Sequence, residues 1–158
     1  MKALITGSGG LIGSACARTF GACGWEVTGI DNDTRAQLFG PAASTRAVVE
    51  SLTREVRGYQ HHALDIRDRA AMRDLMRATR PALIVHAAAQ PSHDMAASIP
   101  YEDFEINAVG TLNLLTAARA VGPEAPVWFV STTTVYGSPP NDTPLLETPT
   151  RWDKRDNP

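Results

Sequence analysis

Lys2-Ala-Leu-Ile-Thr6-Gly7-Ser8-Gly9-Gly10-Leu11-Ile12-Gly13 sets the reading of the whole chain. The short apolar run predicts a buried strand, and a helix-length amphipathic stretch runs from Leu11 to Cys23. Between them, Gly7, Gly10 and Gly13 are spaced as a phosphate-cradling turn requires. Gly7 permits the sharp exit from the strand, Gly10 lets backbone approach a pyrophosphate, and Gly13 lets the helix press on the sheet. Amides at Leu11 and Ile12 then face the phosphates at the positive end of the helix. A glycine turn that binds nothing has the same spacing; the strand before it and the helix after it favour the nucleotide.

The next strand, Trp25 to Ile30, ends at Asp31, eighteen positions after Gly13. That is close to the spacing of about twenty expected for a carboxylate that binds an adenosine ribose. A solvated loop aspartate is the plainer reading, and the glycine turn weighs against it. A carboxylate there repels a 2′-phosphate, so NAD is expected rather than NADP, with Arg35 nearby as the feature that leans the other way.

Farther on, apolar runs keep alternating with helical stretches. Helices are expected at Thr45 to Arg57, Asp68 to Thr79 and Asp103 to Val121, and strands at Tyr59 to Leu64, Ala82 to Ala87 and Val127 to Ser131. Near-continuous apolar strands joined by helices require a parallel sheet covered on both faces. The expected fold is α/β, a doubly wound parallel sheet of the Rossmann type with five strands. Residues 1–138 form this unit, and 139–158, rich in proline and without periodicity, read as a loop or tail.

The chain has 158 residues, 43% of them hydrophobic and 20% charged, with 15 basic against 17 acidic side chains and a net charge of −2. That suffices for one domain with a core and excludes disordered and collagen-like classes. Balanced charge gives no attraction to nucleic acid or anionic membranes. No signal peptide or membrane span opens the chain, so a cytoplasmic protein is expected. Cys16 and Cys23, on one predicted helix, read as reduced, buried thiols. His61 and His62 point to opposite faces of a strand and cannot share a metal; no metal site is expected. Ser92-His93-Asp94 has the residue types of a triad, but consecutive residues cannot stack as one, and it reads as a loop.

Six segments in register resemble the extended short-chain dehydrogenase/reductase family, in particular its NAD-dependent nucleotide-sugar epimerases and dehydratases. They are Thr6 to Gly13, Asp31-Asn32, Asp65-Ile66, His86-Ala-Ala-Ala89, Asn107-Ala-Val-Gly-Thr-Leu112 and Ser131-Thr-Thr-Thr-Val-Tyr-Gly137. A narrower similarity, at Ala88 to Asp94, Asp103 to Asn107, Gly110 to Leu115 and Thr150-Arg-Trp152, is to the branch that inverts C2 of CDP-paratose. That branch carries Asn-Lys where this chain has Thr133-Thr134.

The resemblance implies a bound NAD that takes a hydride from a carbon of a nucleotide sugar and returns it to the other face. It implies that Gly7, Gly10, Leu11 and Ile12 hold the pyrophosphate, with Gly13 beneath, and that Asp31 and Asn32 hold the adenosine ribose. Asp65 and Ile66 flank the adenine. Ala87, Ala88, Ala89 and Gln90 line the nicotinamide side, Asn107 braces the fourth strand, and Thr132 bonds the reacting sugar hydroxyl. The family also uses a tyrosine with a lysine four residues later. This sequence lacks the pair: its only lysines are Lys2 and Lys154, and Ala63, Glu105 and Pro140 follow Tyr59, Tyr101 and Tyr136 at that spacing. A general base contributes about 10²- to 10⁴-fold to rate, so this polypeptide alone is expected to be close to inert. It reads as the cofactor half of an epimerase, without the catalytic helix and the substrate domain that follow in the family. A dehydratase or reductase of the same family shares every residue named, and the missing pair also fits a non-catalytic NAD-binding or regulatory module. Uncovered sheet and helix faces lead to an expectation of self-association or a homo-oligomer.

Overall fold

The computed structural model describes residues 1–122 and 124–155, without the side chains of Thr133, Thr134, Pro140 and Asn141. Its main sheet is built from β1 (Lys2–Thr6), β2 (Glu26–Ile30), β3 (Tyr59–His62), β4 (Leu83–His86) and β5 (Val127–Phe129). The spatial order is β3-β2-β1-β4-β5, and every pairing is parallel. Strand order reverses between β1 and β4, which register Ala3 to Leu83 through Thr6 to His86.

The apolar runs of β1, β2 and β4 are continuous because both faces of the sheet are covered there. Leu4, Ile30 and Ile84 pack with Met72 and Met76 of α4 (Arg69–Thr79) and Leu114 of α7 (Gly110–Val121). Their neighbours Ile5, Val27 and Val85 face the other way, onto Ala17 of α1 (Leu11–Ala22) and Leu52 of α3 (Arg46–Glu55). The fold is the doubly wound α/β sheet that the alternation required.

Short elements escaped the sequence pattern. Between β2 and α3 lie α2 (Thr34–Phe39) and a 3-10 turn, Pro41–Ala43. Ser92-His93-Asp94 is the cap and first turn of α5 (His93–Ser98) rather than a loop; Ser92 Oγ accepts the Met95 amide at 3.3 Å. The long helix begins earlier than expected, as α6 (Pro100–Phe104), and passes through a π turn, Glu105–Val109, before α7. The tail is also corrected: β6 (Leu145–Glu147) and β7 (Trp152–Lys154) form an antiparallel pair, closed by Thr148 and Arg151. Strands and helices this short leave no periodicity to read. Of the cysteines expected to be buried, Cys16 is half-buried and Cys23 is exposed past the end of α1. Among the described residues no helix is long and apolar enough to cross a membrane.

Candidate functional site: a cleft at the strand ends

A cleft of about 260 Å³ opens at the carboxyl ends of the strands, where strand order reverses. This is where open parallel sheets receive ligands. The glycine turn forms one wall. Gly7 has φ +67, and a Cβ there would lie 2.8 Å from the Ala87 and Ala88 backbone. Gly13 packs so closely on the turn that a Cβ would strike the Gly7 carbonyl. Gly10 caps α1 and lines the cleft, where a Cβ would meet only Gly7 O at 3.2 Å. The first amides of α1 have no intrahelical acceptor, and Leu11 and Ile12 face the cleft.

Buried polar groups brace this turn from below. Ser8 donates its amide to Ile30 O at 3.1 Å, and the Tyr59 phenol donates to Ser8 Oγ at 2.9 Å. Sequence reasoning weighed Tyr59 only as a partner for a lysine; its place under the turn requires knowing that β3 lies beside β2.

Asp31 stands opposite the turn. Its Oδ2 accepts the Gly9 amide at 2.9 Å, and its Oδ1 accepts the Asp33 amide at 3.0 Å and the Thr45 hydroxyl at 2.8 Å. A carboxylate has about four acceptor positions, so this one keeps room for a further donor from the cleft. Thr45, buried at the start of α3, was not expected in the site; it also donates its amide to Asp33 Oδ1 at 2.7 Å. Nothing in the local sequence marks Thr45, because its role depends on the fold of the segment between β2 and α3.

Asn32 donates to Asp65 Oδ2 at 3.1 Å, tying the ends of β2 and β3 together. The Arg67 guanidinium, 2.7 Å from Asp65, holds that carboxyl below the usual range. Ile66 is buried beneath the cleft, fixed through its carbonyl by Asn113 Nδ2 at 3.1 Å.

The third wall is the segment after β4. Ala87, Ala88, Ala89 and Pro91 line the cleft, but Gln90 turns inward, 6% exposed. Its amide side chain bonds Ser92 and Asp103, so the expectation that Gln90 lines the cleft is corrected. Asn107, on the π turn, accepts the Gln90 amide at 2.9 Å and reaches the loop rather than the cleft. Thr132 lies exposed beyond β5, its carbonyl accepting the Val135 amide at 3.4 Å; among the described side chains of that segment, Val130 lines the cleft.

His86, at the end of β4, is 2% exposed and lies between Thr6 Oγ1 at 2.7 Å and Thr111 Oγ1 at 2.8 Å. Burial pushes its pKa down to about 4. An unfolded histidine titrates near 6.5, so the unfolded chain binds the extra proton between these values. Stability should therefore fall as pH drops from about 6.5 toward 4, by roughly 2–3 kcal/mol at pH 4.5. Burial lowers His61 as well, which acts in the same direction. Urea unfolding at pH 7 and pH 4.5 checks this; equal stabilities would contradict the buried neutral imidazole.

A glycine cradle, a carboxylate facing it and a strand-order reversal define a dinucleotide-binding Rossmann domain. The NAD dependent epimerase/dehydratase family model matches residues 3–156, and the chain belongs to that family. It is 33% identical over 140 residues to a UDP-glucose 4-epimerase of Mycolicibacterium smegmatis, covering 89% of this chain and 42% of that protein. It is 33% identical over 147 residues to a dTDP-glucose 4,6-dehydratase of Neisseria meningitidis, covering 86% of this chain and 39% of that one. The structure of a Stenotrophomonas maltophila UDP-glucose-4-epimerase with bound NAD and formylated UDP-arabinopyranose superposes with a TM-score of 0.73 at 31% identity, over 87% of this chain and 38% of that one. The chain thus spans about two fifths of the length of these relatives.

Proposed function

We propose that this chain binds NAD in the strand-end cleft as the cofactor-binding portion of a nucleotide-sugar epimerase. The observation that carries the reading is Asp31, at the end of β2, set beside the Gly7–Gly10–Gly13 turn in the cleft at the reversal point. The groups present suit NAD: a backbone cradle open at Gly10, a carboxylate with acceptor capacity left, and apolar walls from Ile66 and Ala87 to Ala89. Gly7, Gly10, Leu11 and Ile12 would hold the pyrophosphate, and Gly13 would keep α1 against the turn. Asp31 and Asn32 would hold the adenosine ribose, with Asp65 and Ile66 beside the adenine. Ala87 to Ala89 would form the nicotinamide wall, steadied from behind by Gln90 and Asn107, and Thr132 would face the sugar hydroxyl. Bound NAD supplies a hydride acceptor and, once reduced, a hydride donor. A carboxylate at the ribose disfavours the 2′-phosphate of NADP.

The resemblance implies a tyrosine–lysine proton-transfer pair, and the sequence in hand contains none. The chain should therefore retain NAD while leaving UDP-glucose, dTDP-glucose and CDP-paratose unconverted, as product analysis by chromatography would read. Conversion of any of them at an ordinary enzymatic rate would overturn this division of labour. The C2-inverting branch is the narrower substrate proposal, supported by the sequence motifs alone; a dehydratase shares the same cofactor residues, and a non-catalytic NAD-binding module fits the missing pair. The proposed working compartment is the cytoplasm, where both cysteines stay reduced.

Self-association is part of the proposal. Trp128 and Phe129 on the edge strand β5 are 56% and 61% exposed, and Leu112 and Leu115 of α7 are also exposed. Apolar patches and free sheet edges favour association. Size-exclusion with light scattering at micromolar concentration should give a mass above the monomer; a well-behaved monomer would contradict it.

A further inference from the structure

For a neutral imidazole, the neighbours of His86 permit only one arrangement of protons. Thr111 Oγ1 donates to the Asn107 carbonyl at 2.7 Å, one turn back along its own helix. A hydroxyl carries a single proton, so the same oxygen must accept in its 2.8 Å contact with His86 Nε2. Nε2 therefore bears the hydrogen. A neutral imidazole then offers a lone pair at Nδ1, and Thr6 Oγ1, 2.7 Å away, donates to it. The Thr6 oxygen in turn accepts the Ala88 amide at 3.2 Å. The chain of bonds runs in one direction, from Ala88 through Thr6, His86 and Thr111 to the Asn107 carbonyl.

Asn107 carries this order back to where it began. Its side-chain oxygen accepts the Gln90 amide at 2.9 Å, and its nitrogen donates to Asp103 Oδ1, which also accepts from Gln90 Nε2. The two ends of the network thus grip the segment after β4 at Ala88 and at Gln90, on either side of the cleft-lining Ala89. The π turn at Glu105–Val109 is what carries Asn107 at this point of the helix, in keeping with the use of such turns at functional sites.

We propose that His86, held as the Nε2–H tautomer, is a positioning residue that locks β1, the π turn and the segment after β4 into the wall against which the cofactor binds. The inference rests on the NAD reading above for the purpose of that wall, and on hydrogen-bond geometry alone for the tautomer. His86 touches neither cofactor nor substrate in this role; it acts through the amides of Ala88 and Gln90.

The test has two readouts. In histidine-¹⁵N-labelled protein at pH 7, long-range ¹H–¹⁵N correlation should show a protonated Nε2 and a lone-pair Nδ1 for His86, with no NAD present. Calorimetric titration of NAD should then show affinity about tenfold weaker in Thr6→Val and Thr111→Val, each of which leaves a buried donor or acceptor unmet. Thr6→Ser and Thr111→Ser keep the hydroxyl and should restore wild-type affinity. An Nδ1–H tautomer, or unchanged affinity in folded valine variants, overturns the proposal. Valine variants that lose stability but bind NAD normally also overturn it, because His86 would then serve the core alone. A wild-type chain that binds no NAD overturns the cofactor reading and the positioning role with it, while the tautomer spectrum still judges the proton arrangement separately.

Discussion

Alanine at Gly13 is expected to abolish NAD binding and to cost about 3 kcal/mol of folding stability. The added Cβ would strike the Gly7 carbonyl, with Gly7 C at 2.7 Å and Ser8 Cα at 2.9 Å behind it. These are backbone atoms, so no side chain can rotate away. Either α1 lifts from the sheet or the turn distorts, and both displace the amides proposed to face the pyrophosphate. Gly10→Ala is the informative contrast, since its Cβ would meet a single atom, Gly7 O, at 3.2 Å. That variant should fold with near wild-type stability and still bind NAD weakly, because the new methyl occupies the side from which the phosphates are proposed to approach. Urea unfolding and calorimetric titration separate the two; Gly13→Ala with wild-type stability would contradict the packing described.

Asp31→Ala is expected to weaken NAD binding about 100-fold. Hydrogen bonds to a charged group are worth about 1.5–3 kcal/mol, and each 1.4 kcal/mol is about tenfold in affinity. Removing the carboxylate takes away the proposed ribose acceptor and also the partner of the Gly9 amide, the Asp33 amide and the Thr45 hydroxyl. The glycine turn then loses one of its ties to the end of β2 and keeps the bond from the Ser8 amide to the Ile30 carbonyl. Asp31→Asn keeps the shape and one acceptor oxygen, so its loss should be smaller, and its preference for NAD over NADP should narrow as the charge disappears. Calorimetric titration of both cofactors against the three proteins reads these effects; unchanged NAD affinity in Asp31→Ala would remove the cofactor assignment.

The five main strands and the residues of the glycine turn were legible in the sequence because each rests on local chemistry. The apolar runs of β1, β2 and β4, buried on two faces, need no knowledge of the partner, and β3 and β5 follow from the alternation with helices. A glycine that must adopt φ +67 or yield to a neighbouring backbone is marked by its own identity. Asp31 was legible through its spacing from Gly13. What was not legible depends on contacts distant in sequence. Tyr59 reaches Ser8 across 51 positions and His86 reaches Thr6 across 80. Thr45 is recognisable only once the segment after β2 has folded back over Asp31.

Gln90 shows the reverse failure. The resemblance placed it on the cleft wall by position, but its side-chain amide makes three hydrogen bonds to Ser92 and Asp103 behind it, and a buried polar side chain follows its hydrogen bonds. The hairpin of β6 and β7 was hidden for a different reason: strands of three residues are too short to show alternation, and the prolines around them point to a loop.

The most direct measurement is calorimetric titration of the unmodified chain with NAD⁺ and, separately, with NADP⁺. The cleft should show saturable binding of one NAD⁺ per chain and binding of NADP⁺ at least about tenfold weaker, since a 2′-phosphate would be set against the Asp31 carboxylate. Absence of NAD⁺ binding by folded protein, or tighter binding of NADP⁺, would contradict it.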